Sequence, residues 1–396
     1  MTLLDPLKEK VNDALSGDVS YLSHWTDKFN YIVSMAVLSL VFCIALFESN
    51  GTYSCYPFLE VSAFNIESYL NGYCWMHGTF YSPFDYFNEV NSNFTSFTNS
   101  NYIHIYRFIP NLIILQIILF ALPQFLWTSV FLGKAAKDIK LFKTNVKQIF
   151  EDDDVSAEEM AAMIASNLNA IIRVHRNTKE GILNNYSSCL KIFNGNVPFS
   201  KRCGTWFTSW YVVLKVLHVL NSVVQLYLCK TILAKNEGFL EFLRIITSNF
   251  WNGIPEFSNP RFPVQSYCFL KDVYPLGVSN NMLASCSNPS NLFFEVSYKF
   301  VSVWLVVSFF LNIYGLLSWI TRIGTGRNRY FFIKKFLIIR KAPIHFNKEI
   351  FRKFVSEYLS ADGVLIMTMI NKDYGDYNTI NAMNNLWNIF QASNHE

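Results

Sequence analysis

Lysine and arginine are missing altogether from residues 48–105, although the 396-residue chain carries 33 of them and a formal net charge of +4. Charge of either sign is scarce: 16% of residues are charged, against about a quarter in soluble globular proteins. The spacings of familiar catalytic sites are missing as well, with no G-x-S-x-G, P-loop, H-E-x-x-H or C-x-x-C, so the chain does not read as an enzyme and no cofactor is expected. The lone Gly324-Thr-Gly326 follows no strand pattern and lacks a further glycine, which excludes a dinucleotide loop.

Long apolar runs are what the sequence has in place of charge. Residues 31–47 and 108–132 carry no charged side chain, and 206–233 and 293–320 carry only a few polar positions each. Four spans of bilayer length follow. The first is no secretory signal, because the thirty residues before it are largely polar and "FESNGTYS" after it offers no small-residue cleavage site.

Basic residues are retained on the cytoplasmic side of a membrane, whereas acidic ones contribute little. Residues 133–204 contain eleven Lys and Arg, 235–292 contain four, and the tail from 321 contains eleven. Both termini are therefore expected in the cytoplasm and loops 49–105 and 235–292 outside. The expected organisation is an N-terminal segment 1–28, spans 29–48, 106–130, 206–234 and 293–320, a helical inner loop 131–205, and a helical tail 321–396. The first segment has an amphipathic helical pattern along Leu4, Leu7, Val11 and Leu15, too polar to span.

Disulfides persist only on the outer side. Of eight cysteines, Cys55 and Cys74 fall in the first outer loop and Cys268 and Cys286 in the second, so two bridges are expected there. Neither outer loop has the close ligand pairs of a zinc site, and no metal is expected. Sequence does not choose among the three pairings. Bridges between the loops would clamp two long segments otherwise tethered only by helix ends; Cys55–Cys286 with Cys74–Cys268 is the working guess. Asn50 and Asn93 begin glycosylation sequons in the first outer loop.

The inner loop opens a helix at "SAEEM", where Ser156 and Glu159 form a capping-box pattern. Its apolar stripe, Met160, Ile164, Leu168, Ile171, Ile172 and Val174, needs a cover: the tail, a neighbouring subunit, or only its own hairpin. In the third span Lys215, His218, Ser222 and Gln225 share one helix face, which would line the bundle interior or a pore, with Lys215 expected instead to snorkel to the headgroups. A membrane enzyme built on His218 lacks a second catalytic group at a defined spacing. Glu295 and Lys299 form an i,i+4 pair. Prolines at 110 and 123 predict kinks in the second span. The stretch "TRIGTGRNRYFFIKKFLIIRK" holds seven basic residues, and its natural partner is the anionic cytoplasmic leaflet rather than nucleic acid.

The stretch "YCWMHGTFYSPFD", residues 73–85, resembles the innexin pattern of Tyr-Cys, a variable pair, His-Gly-Thr-aromatic, then Pro and Asp. "IYRFIP" at 105–110 keeps Tyr106 and Pro110 of a family segment but replaces its Trp and Gln by Phe108 and Arg107. "NPRFPVQSYC", "CSNPSNLFFEVSYKF" and the tail's Tyr358, Asp362, Gly363, Gly375, Asp376 and Trp387 also match. The chain thus resembles a divergent innexin. The resemblance implies an all-α membrane protein with four transmembrane helices, cytoplasmic termini, two disulfide-clamped extracellular loops and a helical cytoplasmic domain, assembled as a ring.

It further implies a multi-pass plasma-membrane protein of gap junctions. It would form octameric hemichannels, alone or with other innexins, that dock with those of an apposed cell and pass ions and small metabolites. The N-terminal segment would line the pore, making Asp5, Lys8, Glu9, Lys10 and Asp13 pore candidates. Glu48 and Glu60, two of the five acids in residues 48–105, would attract cations at an outer vestibule with Arg107 as counterweight. Two other readings stand beside it: a pannexin-like hemichannel whose glycans block docking, and a four-helix adhesion or scaffold protein without a pore.

Overall fold

The computed structural model describes residues 25–49, 53–57, 66–80, 102–103, 105–135, 137–151, 156–177, 190–192, 197–199, 204–234, 237–251, 261–273, 280–339 and 348–394. In chain order these form α1 (Trp25–Ser49), β1 (Ser54–Pro57), α2 (Ile66–His77), β2 (Thr79–Phe80), β3 (Tyr102–Ile103), α3 (Ile109–Phe125), α4 (Lys137–Glu151), α5 (Ala157–Asn177), β4 (Leu190–Ile192), β5 (Val197–Phe199) and α6 (Trp206–Leu233). They continue with α7 (Phe239–Trp251), β6 (Gln265–Val273), β7 (Asn280–Ser287), α8 (Ser290–Gly324), α9 (Gly326–Ile339), α10 (Lys348–Lys353) and α11 (Ser360–Asn394).

Four helical stretches, Asn30–Phe47, Ile109–Phe131, Trp206–Leu233 and Ser290–Gly324, are long and apolar enough to cross a membrane. Pro110 sits at the start of α3, where a missing N–H leaves no helical bond unmade. Pro123 lies deeper, and from Leu126 to Ala135 the backbone widens into π-helical turns. Proline removes a helix hydrogen bond, so the expected kink takes the form of this change of winding.

The chain divides into two compact units. One comprises residues 31–121 and 221–309. Its loops hold an antiparallel sheet in the order β1-β7-β6-β2-β3, an element that the all-helical expectation lacked. In β6, Ser266, Cys268 and Leu270 are buried while Tyr267 and Phe269 are partly exposed. This is the period of two that a strand imposes. Leu70, Leu270, Ala284 and the four outer cysteines form the core beneath the sheet.

The other unit comprises residues 1–30, 122–220 and 310–396. Its core draws on α4, α5, α9, α10 and α11 together with the adjoining membrane-helix segments. The α5 stripe is covered by the tail: Ile164 and Leu168 are fully buried in that core with Leu365, Met383 and Leu386, and Tyr358 donates to Asn169 Oδ1 at 2.7 Å. Ser156 and Glu159 make the two reciprocal bonds of a capping box, each 3.3 Å. Val174, expected to continue the stripe, is exposed instead.

Candidate functional site

Residues 73–80 of the innexin-like motif form a helix end feeding a strand. Tyr73–His77 close α2, Gly78 turns with φ 86° while its N–H bonds to the Cys74 carbonyl at 2.9 Å, and Thr79 and Phe80 enter β2. A side chain at Gly78 would be strained in that left-handed conformation. His77 stacks on Tyr73 with ring centroids 4.2 Å apart.

Cys55 stands opposite Cys286 in the β1–β7 ladder and is bonded to it, while Cys74 of α2 is bonded to Cys268 of β6. Both bridges join one outer loop to the other. Cys55 N–H also donates to Asn71 Oδ1 at 2.6 Å, tying α2 to the edge strand. The sulfurs of Cys55, Cys74 and Cys286 lie within 4.8 Å of one another. As disulfide sulfurs they offer no thiolate to a metal. Among the described residues Cys43 and Cys229 are free.

Asn291 binds this assembly to the last membrane helix. Its Nδ2 donates to the Pro263 carbonyl at 2.8 Å, and its Oδ1 accepts from Asn288 Nδ2 at 3.1 Å. Glu295 and Lys299 form an ion pair one turn further on, both buried. Arg107, expected as a counterweight at the outer mouth, turns its guanidinium to the Trp75 and Met76 carbonyls at 3.0 and 2.6 Å. A cation is well placed there, because the last carbonyls of α2 are the negative end of its dipole.

The third-span face, Lys215, His218, Ser222 and Gln225, is buried at every position. Lys215 does not snorkel. Its Nζ lies 2.6 Å from Asp27 Oδ1, both side chains are 2% exposed, and it also donates to Thr26 Oγ1 at 3.3 Å. Tyr211 donates to the other oxygen, Asp27 Oδ2, at 3.3 Å. A carboxylate in the first turn of α1 explains the difference: it neutralises the ammonium and sits at the positive end of its own helix.

A second anchor crosses from the tail to the third membrane helix. Asp362 accepts the N–H groups of Phe207 and Thr208, at 3.2 and 2.8 Å, and the Thr208 hydroxyl at 2.8 Å. It supplies from 154 residues away the carboxylate that usually caps a helix from its own start. Its own N–H and the Ser360 hydroxyl both donate to the Gly204 carbonyl, each at 2.8 Å.

Asp5, Lys8, Glu9, Lys10, Asp13, Asn50, Glu60 and Asn93 lie outside the described residues, as does the side chain of Glu48. Sequence reasoning missed Asp27 and the capping role of Asp362. The signal for the first was an acid at the border of one span and a Lys well inside another.

The family model described as Innexin matches residues 24–390, with the bridged outer cysteines, the Asn291 clasp and the Asp362 cap all inside that range. The chain belongs to the innexin family. It is similar to Innexin unc-9 of Caenorhabditis elegans, 23% identical over 92% of this chain and 91% of that protein. It is also similar to Innexin-12 of C. elegans, 25% identical over 82% and 78%, and to Innexin-19 of C. briggsae, 21% identical over 83% and 77%. As an innexin it is a gap-junction channel subunit, a multi-pass plasma-membrane protein that assembles with other innexin subunits.

Proposed function

We propose that this innexin forms octameric hemichannels that dock with those of an apposed cell through the bridged outer loops, opening a path for ions and small metabolites. The observation that carries the reading is the pair of disulfides linking the two outer loops. A surface ordered before contact loses less entropy when it binds. The docking side would include Tyr56 on the edge strand β1 and Met76 at the end of α2, 53% and 67% exposed, residue types enriched at interfaces.

In this reading the segment before Trp25 enters the pore, and the Asp27–Lys215 pair fixes the point at which it leaves α1. The acids of the first outer loop, Glu48 and Glu60 among them, give the vestibule cation preference. Unchanged selectivity after neutralising both would remove that element.

Dye transfer and junctional conductance between paired cells expressing this chain alone test the whole, with surface labelling as control. Coupling supports docking. Surface protein with whole-cell leak and no coupling would overturn docking in favour of a hemichannel blocked by glycans at Asn50 or Asn93.

A further inference from the structure

The helix that follows the fourth span carries an exposed face of mixed cationic and apolar side chains. Residues 300–321 contain no charged side chain, a length of about 33 Å at 1.5 Å per residue that matches a hydrocarbon core of about 30 Å. Arg322 marks the border, and α9 begins at Gly326. The joint between them is held: Thr325 Oγ1 and Asn328 Nδ2 both donate to the Thr321 carbonyl, at 2.8 and 2.7 Å.

In α9 the positions 327, 331, 334, 335, 338 and 339 recur at helical spacing on one side. They are Arg327, Phe331, Lys334, Lys335, Ile338 and Ile339, and all are exposed. The opposite side, Ile333, Phe336 and Leu337, is buried in the core of the unit, and Tyr330 packs edge-on against Phe351 at 4.8 Å. Residues 321–341 contain no acid, and among the described residues none of these three cations is paired with a carboxylate.

We propose that this face of α9 is a binding site for anionic phospholipid of the cytoplasmic leaflet, with Arg327, Lys334 and Lys335 holding headgroup phosphates while Phe331, Ile338 and Ile339 enter the acyl boundary. Cations alternating with large apolar side chains on one helix face are what an interfacial helix presents to a charged membrane. The chain position supplies the second argument, since the face starts within two turns of the end of a bilayer-length apolar run. The inference rests on the sidedness of the proposed channel, with the tail in the cytoplasm.

The test uses the full chain purified from mixed micelles containing phosphatidylserine and phosphatidylcholine in equal amounts, with retained lipid counted by mass spectrometry after a detergent wash. The wild type is expected to retain serine lipid in excess. The R327Q/K334Q/K335Q variant is expected to lose that excess, at roughly fivefold in affinity per cation, and R327K/K334R/K335R to keep it. Neutralising the exposed Arg352 and Lys353 of α10 is expected to leave the excess unchanged. If the neutral variant does not assemble, a high-salt wash of the wild type reads the same electrostatic dependence.

No excess in the wild type, equal loss in both neutralised variants, or insensitivity to salt would overturn the site. Break-up of the oligomer by R327Q/K334Q/K335Q without any wild-type excess would assign the face to a neighbouring subunit instead. Lipid retention needs neither docking nor conductance, so its failure is distinguishable from failure of the channel reading.

Discussion

Lys215 and Asp27, 188 residues apart in the chain, meet as a fully buried ion pair with Nζ 2.6 Å from Oδ1. Neither partner tolerates the loss of the other, because a lone charge would remain inside an apolar core. Asp27→Asn is expected to lower stability by about 3–5 kcal/mol, read as a sharply lower unfolding midpoint of the purified protein. The double variant Asp27→Leu with Lys215→Met is expected to regain most of the loss, since a well-packed apolar pair avoids desolvating two charges.

Asp362 takes part in three hydrogen bonds at the start of α6. Asp362→Ala is expected to cost about 1–2 kcal/mol and to expose the first turn of α6, measured as faster amide exchange there. Gly204→Ala strikes the same joint more severely. A Cβ there would lie 1.9 Å from Ser360 Oγ, on a residue with φ +63°. Removing the Ser360 side chain with Ser360→Gly is expected to recover the steric part and to ease residue 360's own left-handed backbone (φ 52°), leaving the strain at residue 204.

The pair Cys55→Ser with Cys286→Ser removes one bridge and leaves Cys74–Cys268 in place. Peptide mapping without reduction is expected to recover that second bridge, at a stability cost of about 2–5 kcal/mol, with junctional coupling lost while protein still reaches the surface. Cys229→Ser is expected to leave both bridges unchanged, because Cys229 is free.

Arg107→Lys separates charge from geometry. It keeps a cation at the outer end of the second span but loses the planar fork that reaches two carbonyls of α2. Hemichannel ion selectivity is expected to stay as in the wild type, while docked conductance and thermal stability fall. Altered selectivity with normal stability would return Arg107 to the vestibule.

Much of this architecture is local information. The four spans are written as long apolar runs, two of them without any charged side chain, and the capping box at Ser156 and Glu159 as a four-residue pattern. The outer cysteines could be placed in one compartment because basic residues are counted along the chain, loop by loop. The outer sheet was less legible: its longest strand alternates buried and exposed positions, yet its neighbours are only two to four residues long apart from β7.

Composition and spacing set how many helices are apolar enough to span, which loops carry the basic residues, and which cysteines were available to bridge. Folding was needed to bring Cys55 opposite Cys286, Asp27 to Lys215, Asp362 to the start of α6, and the tail over the α5 stripe. Each of these joins segments more than 150 residues apart. Composition and period state what a residue needs; the packing of distant segments decides which group satisfies that need, because hydrogen bonds, ion pairs and disulfides act only within a few ångströms.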